Sequence, residues 1–361
     1  MNIAKRFFLP GLLAMGCGLS ALALAQGRGP AWPPSDMLSA ESRAALDRPT
    51  EGPGSAAGGN TAAPAAEPAA KPSMAEQRVR LNQSLQPNVD RMVAMYPVDI
   101  QETTLGGISV AVITPKGGVP ARNRNRVMIN APGGGFVTGV RANGLMVSIP
   151  VASLGQMKVI TITYRQGPEY HFPAATEDFT AVYKEVLKTN KPANIGVFGC
   201  SAGGALVGQA VAHFIKTGIP RPAVLGLYCS GLTDKGGDGL MISALAGGQG
   251  AASAVRVTGG MSSDAPDGYY LAMDRSNPDI TPASDPALLA RFPPTFLLTA
   301  TRDFAMSNAQ LTHRRLLQAG VESQIVVMDG LGHGFMTNAR LTETREGQAA
   351  AVKFYDRYLG H

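Results

Sequence analysis

The chain has 361 residues, 45% hydrophobic and 16% charged, with 43 glycines and 26 prolines. That is too apolar for a disordered chain and lacks the periodicity of a fibrous one; it fits one large globular domain or two small ones. The formal net charge of +6 is spread thinly, with no dense Lys/Arg run, which argues against nucleic acid as a partner.

At the N-terminus, Lys5 and Arg6 precede the apolar run "FFLPGLLAMGCGLSALALA", which ends in Ala23-Leu24-Ala25. A basic start, an apolar centre and an A-x-A site predict a secretory signal peptide over residues 1–25, cleaved before Gln26. Pro10, the glycines inside the run and the missing aromatic or basic flank after it disfavour a membrane anchor. A lipoprotein site at Cys17 fits poorly, because the apolar run continues past it. Export to the periplasm or the medium is the expectation, with no stable membrane span after cleavage, since no later stretch is long and apolar enough. Residues 26–73, dominated by "GPGSAAGGNTAAPAAEPAAKP", read as a disordered Ala/Pro/Gly-rich linker that buries too little apolar surface to offset its ordering entropy.

From residue 74 to 361 the pattern becomes regular. "SMAEQRVRLNQSLQPNVDRMVAMY" has apolar residues at helical intervals and Ser73 as N-cap, predicting one or two helices. "ISVAVITP" and "RVMINAP" read as strands, followed by "KVITITY", whose β-branched run suits a strand covered on both faces. "PAATEDFTAVYKEVLKTN" reads as an amphipathic helix, "IGVFG" as a strand and "SAGGALVGQAVAHFIKTG" as a helix closing at Gly218. "AVLGLYC" and "TFLLTAT" are strands, with the irregular stretch Gly231 to Ala290 between them. A helix capped by Ser307 or Asn308, the strand "ESQIVVMDG" and the closing helix "TREGQAAAVKFYDRYL" complete the order. Strands alternating with helices predict an α/β fold with a mostly parallel sheet flanked by helices, and a ligand site at the C-terminal ends of its strands.

Gly199-Cys200-Ser201-Ala202-Gly203 matches G-x-S-x-G at a strand-to-helix turn. The small flanking residues allow a sharp elbow that raises Ser201 above the sheet edge, so Ser201 is the candidate nucleophile and Cys200 a structural neighbour. A serine needs a base. Of the five histidines, His213 and His313 fall inside predicted helices, His361 is terminal and His171 precedes a helix. His333, in "GLGHGF" after a strand, is the candidate base. Asp303, ending "FLLTATRD", is the candidate acid; Asp329 is its rival, read instead as a turn former. "NAPGGGF", Asn130 to Phe136, follows a strand with three glycines whose N–H groups can approach an oxyanion, and no Gly-Lys-Ser/Thr follows to suggest a phosphate loop. Gly134, Gly135 and Ala202 are the candidate oxyanion donors.

Together these segments resemble the α/β-hydrolase fold, and within it the hormone-sensitive-lipase-like carboxylesterases, over most of the chain after the linker. "PGGGF" stands where that family has His-Gly-Gly-Gly-Phe, and "YRQGPEYHFPAATED" where it has Tyr-Arg-x-x-Pro-Glu-x-x-Phe-Pro-Ala-Ala. "GCSAGG" stands for the usual Gly-Asp-Ser-Ala-Gly-Gly, while "PPTFLLTATRD" and "GLGHGFM" match the acid and base segments. The chain order Ser201, Asp303, His333 is the family's. Pro132 replaces the motif histidine that helps hold the oxyanion loop, and Cys200 replaces an acid. The resemblance implies a cap built from about residues 74–100 and part of 231–290, with Met92, Met95, Met241, Met261 and Met273 as candidates to line an acyl pocket. It also implies a small-molecule ester as substrate, with no metal or cofactor. An amide- or peptide-cleaving enzyme on the same fold and a non-catalytic binding protein on a hydrolase scaffold are the alternatives. Cys200 and Cys229, which remain after signal cleavage, are compatible with a disulfide or with two buried thiols, and the oligomeric state stays open.

Overall fold

The computed structural model describes residues 32–47, 72–246, 268–271 and 273–360. The expected signal peptide and, within the expected linker, residues 26–31 and 48–71 lie outside them. In chain order the first elements are α1 (Ala40–Asp47), α2 (Met74–Met95), β1 (Val98–Leu105), β2 (Ile108–Pro115), β3 (Val127–Ala131), α3 (Arg141–Gly155) and β4 (Lys158–Ile162). There follow α4 (Ala174–Leu187), β5 (Ile195–Cys200), α5 (Ala202–Thr217), β6 (Val224–Tyr228), α6 (Gly237–Leu245) and the single turn α7 (Pro286–Leu289). The last are β7 (Thr295–Arg302), α8 (Met306–Gln318), β8 (Ser323–Gly332) and α9 (Thr342–Asp356).

The strands form one eight-stranded sheet in the order β1-β2-β4-β3-β5-β6-β7-β8. β1, β2 and β4 pair antiparallel, and every pairing from β4 to β8 is parallel. Side chains alternate faces along a strand, so each central strand feeds two cores. Val127 and Ile129 of β3, Val197 of β5 and Leu297 of β7 enter one core with α4, α5, α7 and α8. Met128, Phe198, Phe296 and Leu298 enter the other with α2, α3 and α9. This is the predicted helix-flanked parallel sheet. β1 escaped the sequence reading because "VDIQETTL" is an edge strand with mostly exposed polar side chains and no apolar run.

Local signals explain several element ends. Ser73 closes a capping box with Glu76, each satisfying the other's backbone N–H, and starts α2 as one helix. Gly218, at φ +74°, terminates α5 in the left-handed conformation. Ser307 and Asn308 do not cap α8: Ser307 Oγ accepts the Gly239 N–H at 2.9 Å and Asn308 Oδ1 the Thr233 N–H at 3.1 Å, fastening the Gly231 region instead.

The expected linker over residues 26–73 needs correction where it is described. Ser39 Oγ accepts the Ser42 N–H at 3.1 Å as an N-cap, and the helix it starts, α1, docks on α9. Glu343 receives the Ser39 N–H at 2.7 Å and the Ser42 hydroxyl, Arg345 pairs with Glu41 at 2.7 Å, and Leu38 is buried. The Ala/Pro/Gly-rich stretches on either side, "GRGPAWPP" before it and "GPGSAAGG" after it, masked this short helix in the sequence.

The cap expectation also changes. Residues 98–100 belong to β1, and the second half of α2 buries Leu85, Val89 and Met92 in the core beside α3. Met92 is therefore core, Met95 and Met241 face solvent, Met273 is half-buried against the first core, and Met261 lies outside the described residues.

Candidate active site

The candidate residues sit at the C-terminal ends of four parallel strands: the glycine loop after β3, Ser201 after β5, Asp303 after β7 and His333 after β8. This is the edge where open parallel sheets bind ligands. Ser201 has φ 56° and ψ −123°, a conformation that L-residues avoid, and its N–H is held by Tyr228 O at 2.8 Å. Only minimal neighbours fit such a turn. A Cβ on Gly199 would lie 2.3 Å from the Gly203 backbone, and one on Gly203 would lie 2.0 Å from Ala131 O. The glycines thus let β5, α5 and the end of β3 meet at one point.

His333 joins the two partners. Its Nε2 lies 2.9 Å from Ser201 Oγ and its Nδ1 2.7 Å from Asp303 Oδ1. With Nδ1–H donating to the carboxylate, Nε2 is free to accept the serine proton. Asp303 is fully buried and held by further donors: Ala305 N–H to Oδ1 at 2.9 Å and Thr299 Oγ1 to Oδ2 at 2.8 Å. Burial raises its pKa, but the His333 charge and these hydrogen bonds outweigh it and hold the carboxyl below its ordinary value. For His333, burial disfavours the cation, and the Asp303 charge and hydrogen bond overcome that, so the imidazole pKa lies above its ordinary value.

Of the other histidines, His313 Nδ1 lies 2.8 Å from Ser323 Oγ, His171 Nδ1 lies 3.2 Å from Gly268 O and the His213 ring stands edge-on to that of Phe214, while His361 lies outside the described residues. Asp329, the rival acid, accepts the Ser35 hydroxyl. Donor atoms of Cys229, Asp303 and His333 lie within 4.8 Å of one another, the one such grouping among the described residues. The Asp303–His333 contact of 2.7 Å is shorter than the roughly 3.3 Å edge between two ligands of a tetrahedral ion, so this pair is built as a hydrogen bond.

The glycine loop abuts the elbow: a Cβ on Gly133 would lie 2.8 Å from Cys200 O and 3.3 Å from Ser201 Cβ. Gly134 has φ +128°, and its carbonyl accepts the Val137 and Thr138 N–H groups at 3.0 and 2.7 Å, which folds the loop back. No hydrogen bond within the described residues engages the N–H of Gly134, Gly135 or Ala202. Without the motif histidine, Pro132 is braced through its carbonyl, which accepts the Tyr164 hydroxyl at 2.8 Å. Gln166 clamps Gly139 by two 2.7 Å bonds, Oε1 to its N–H and Nε2 to its carbonyl. Arg78, from the first turns of α2, donates to Val137 O at 2.7 Å and Gly167 O at 2.6 Å and pairs with Glu169.

Cys200 and Cys229 are buried free thiols that flank Met336 Sδ at 3.7 and 3.9 Å. The Cys200 thiol is thus turned onto Met336 and buried. Thr299, Tyr164, Gln166 and Arg78 escaped the sequence reading. Only Tyr164 and Gln166 carried any signal, as members of the segment after β4; no motif marks Thr299, four residues before Asp303, and Arg78 acts through a contact between distant elements.

A family model described as the alpha/beta hydrolase fold matches residues 128–337. An acetyl-hydrolase of Streptomyces hygroscopicus is 31% identical over 105 residues, 29% of this chain and 35% of that protein. The chain matches about a third to two fifths of the length of the curated relatives. Among solved structures, esterase E25 superimposes with a TM-score of 0.67 at 27% identity, covering 80% of this chain and 88% of that one. An esterase from the bacterial hormone-sensitive lipase family superimposes with a TM-score of 0.68 at 20% identity, covering 81% and 94%.

Proposed function

The chain belongs to the α/β-hydrolase-fold family, and on that footing we propose that it is an exported serine carboxylesterase acting on small esters. The observation that carries the reading is the continuous relay Ser201 Oγ, His333 Nε2, His333 Nδ1, Asp303 Oδ1, with links of 2.9 and 2.7 Å. Ser201 Oγ attacks the ester carbonyl carbon while His333 Nε2 takes its proton. The oxyanion that forms is received by the N–H groups of Gly134, Gly135 and Ala202, the last also at the positive end of α5. When the tetrahedral intermediate collapses, the C–O bond to the alcohol breaks and the imidazolium returns the proton to the leaving oxygen. A water deprotonated by His333 then attacks the acyl carbon, the bond to Ser201 Oγ breaks as the imidazolium returns the proton to it, and the acid leaves. Asp303 keeps the imidazole in the productive tautomer and stabilises its cation throughout.

Export rests on the N-terminal pattern of residues 1–25. No helix among the described residues is long and apolar enough to cross a membrane. The acetyl-hydrolase name of one relative favours short acyl chains. The test is hydrolysis of p-nitrophenyl acetate together with labelling by a fluorophosphonate probe. Ser201→Ala removes both by at least about 10³-fold while the protein stays folded. Turnover surviving in that variant, or a wild-type enzyme that cleaves amides but not esters, refutes the assignment.

A further inference from the structure

The two hydrogen bonds to His333 are made at Nδ1 and Nε2. They fix where the two nitrogens lie, while small χ1 and χ2 rotations can still tilt the plane of the ring. The flat side chain that opposes this motion is Phe304. Its ring centroid lies 3.9 Å from that of His333, with the planes 23° apart, a face-to-face stack. Phe304 is held there by the turn it occupies: Asp303 N–H bonds Ala300 O at 3.1 Å, Ala305 N–H bonds Asp303 Oδ1 at 2.9 Å, and Met306 N–H bonds Asp303 O at 3.0 Å.

We propose that Phe304 is a positioning residue of the relay, whose π face fixes the plane of His333 and stabilises the imidazolium formed as Ser201 attacks. The inference rests on the serine-hydrolase reading above. An aromatic face carries negative electrostatic potential and attracts a cation, more strongly where water is excluded. The His333 side chain is 15% exposed, so the stacked cation is largely desolvated. The ring is neutral when it accepts the proton and charged in the transition state, so the stabilisation is differential and speeds the step.

The titratable groups around the imidazole are Asp303 at the end of β7, Cys200 at the elbow and Cys229 beyond β6, whose Sγ accepts the Gly334 N–H at 3.2 Å. Phe304 has no charge, so replacing it leaves all three in place. Phe304→Leu keeps an apolar side chain and removes the π face; Phe304→Tyr keeps both. Two readouts are taken for each: steady-state hydrolysis of p-nitrophenyl acetate across pH, and the His333 ring titration by NMR, assigned by its loss in His333→Gln.

In Phe304→Leu, kcat falls by between about twofold and thirtyfold with KM within about a factor of two. The His333 midpoint and the acid limb of kcat/KM both move down, by roughly half a unit to one and a half. Phe304→Tyr restores both. A Leu variant with wild-type kcat and titration, a Tyr variant no better than Leu, or a lowered unfolding temperature with an unmoved titration overturns the proposal. Should the wild-type protein hydrolyse no ester, it is the esterase reading that fails, and the NMR titration still decides the role of Phe304.

Discussion

Asp303→Asn tests the relay most sharply, because the surrounding hydrogen bonds dictate how the new amide must sit. In a general Ser-His-Asp triad this exchange costs about 10⁴-fold in kcat, since the amide presents N–H to the imidazole and forces the wrong tautomer. Here Oδ1 accepts two donors, Ala305 N–H at 2.9 Å and His333 Nδ1 at 2.7 Å, while Oδ2 accepts the Thr299 hydroxyl at 2.8 Å. Turning the amide nitrogen toward the Oδ1 position would set it against the Ala305 N–H in a fully buried site, leaving donors unpaired at about 1–3 kcal/mol each. Turning it toward Thr299 costs little, because a hydroxyl can rotate to accept. The asparagine oxygen therefore takes the Oδ1 position and the tautomer survives. What is lost is the charge: a unit charge about 4 Å from the imidazolium at an effective dielectric near 20 contributes about 4 kcal/mol, an upper figure. The expected loss is about 10²- to 10³-fold in kcat for p-nitrophenyl acetate, with a lowered His333 midpoint. Ring-nitrogen NMR should show the proton still on Nδ1. A loss of about 10⁴-fold with the proton moved to Nε2 would refute the argument.

Three further outcomes follow from the braces and the titrations. Gln166→Leu leaves the Gly139 N–H and carbonyl unpaired in a buried site, at about 1–3 kcal/mol each, so urea unfolding shifts by that order and kcat falls about tenfold as the oxyanion loop loosens. In the wild-type enzyme, kcat/KM declines as pH falls through the His333 midpoint, because only the neutral imidazole accepts the serine proton; that midpoint lies above the ordinary imidazole value, and an acid limb below that value refutes it. For Glu343, burial raises the pKa, but the Ser39 N–H and Ser42 hydroxyl bonds outweigh it and set the folded value below the ordinary 4.5. A depressed folded pKa gives stability that is complete above 4.5 and fades as pH falls through the folded value. Glu343→Gln should therefore unfold a few degrees lower at neutral pH and lose part of the acid dependence of thermal unfolding.

Much of this architecture was legible along the chain. The period-two and helical runs of the central domain report burial directly, and a parallel sheet covered on both faces demands near-continuous apolar strands. The G-x-S-x-G elbow was equally legible, because its requirement is local: Gly199 and Gly203 must lack side chains for Ser201 to adopt its turn. His333 and Asp303 were reachable because each directly follows a predicted strand, and strands in such a sheet deliver their ends to one edge. Residues 32–47 were misread for the opposite reason, since a weakly apolar segment of sixteen residues gains its order from distant elements, α9 together with Arg302 of β7 and Asp329 of β8.

The sequence by itself determined the fold class and singled out Ser201 as the proposed nucleophile with His333 and Asp303 as its proposed partners, because those depend on periodicity, local turn geometry and chain order. Tertiary structure decided everything that depends on distance between remote segments. It brought Ser201, His333 and Asp303 within hydrogen-bonding reach, showed that Tyr164, Gln166 and Arg78 do the bracing that Pro132 cannot, and kept Cys200 and Cys229 as thiols on either side of Met336. It also set Phe304 flat against the imidazole. A side chain's direction at a turn follows from how the surrounding elements are packed, and no one-dimensional pattern carries that information.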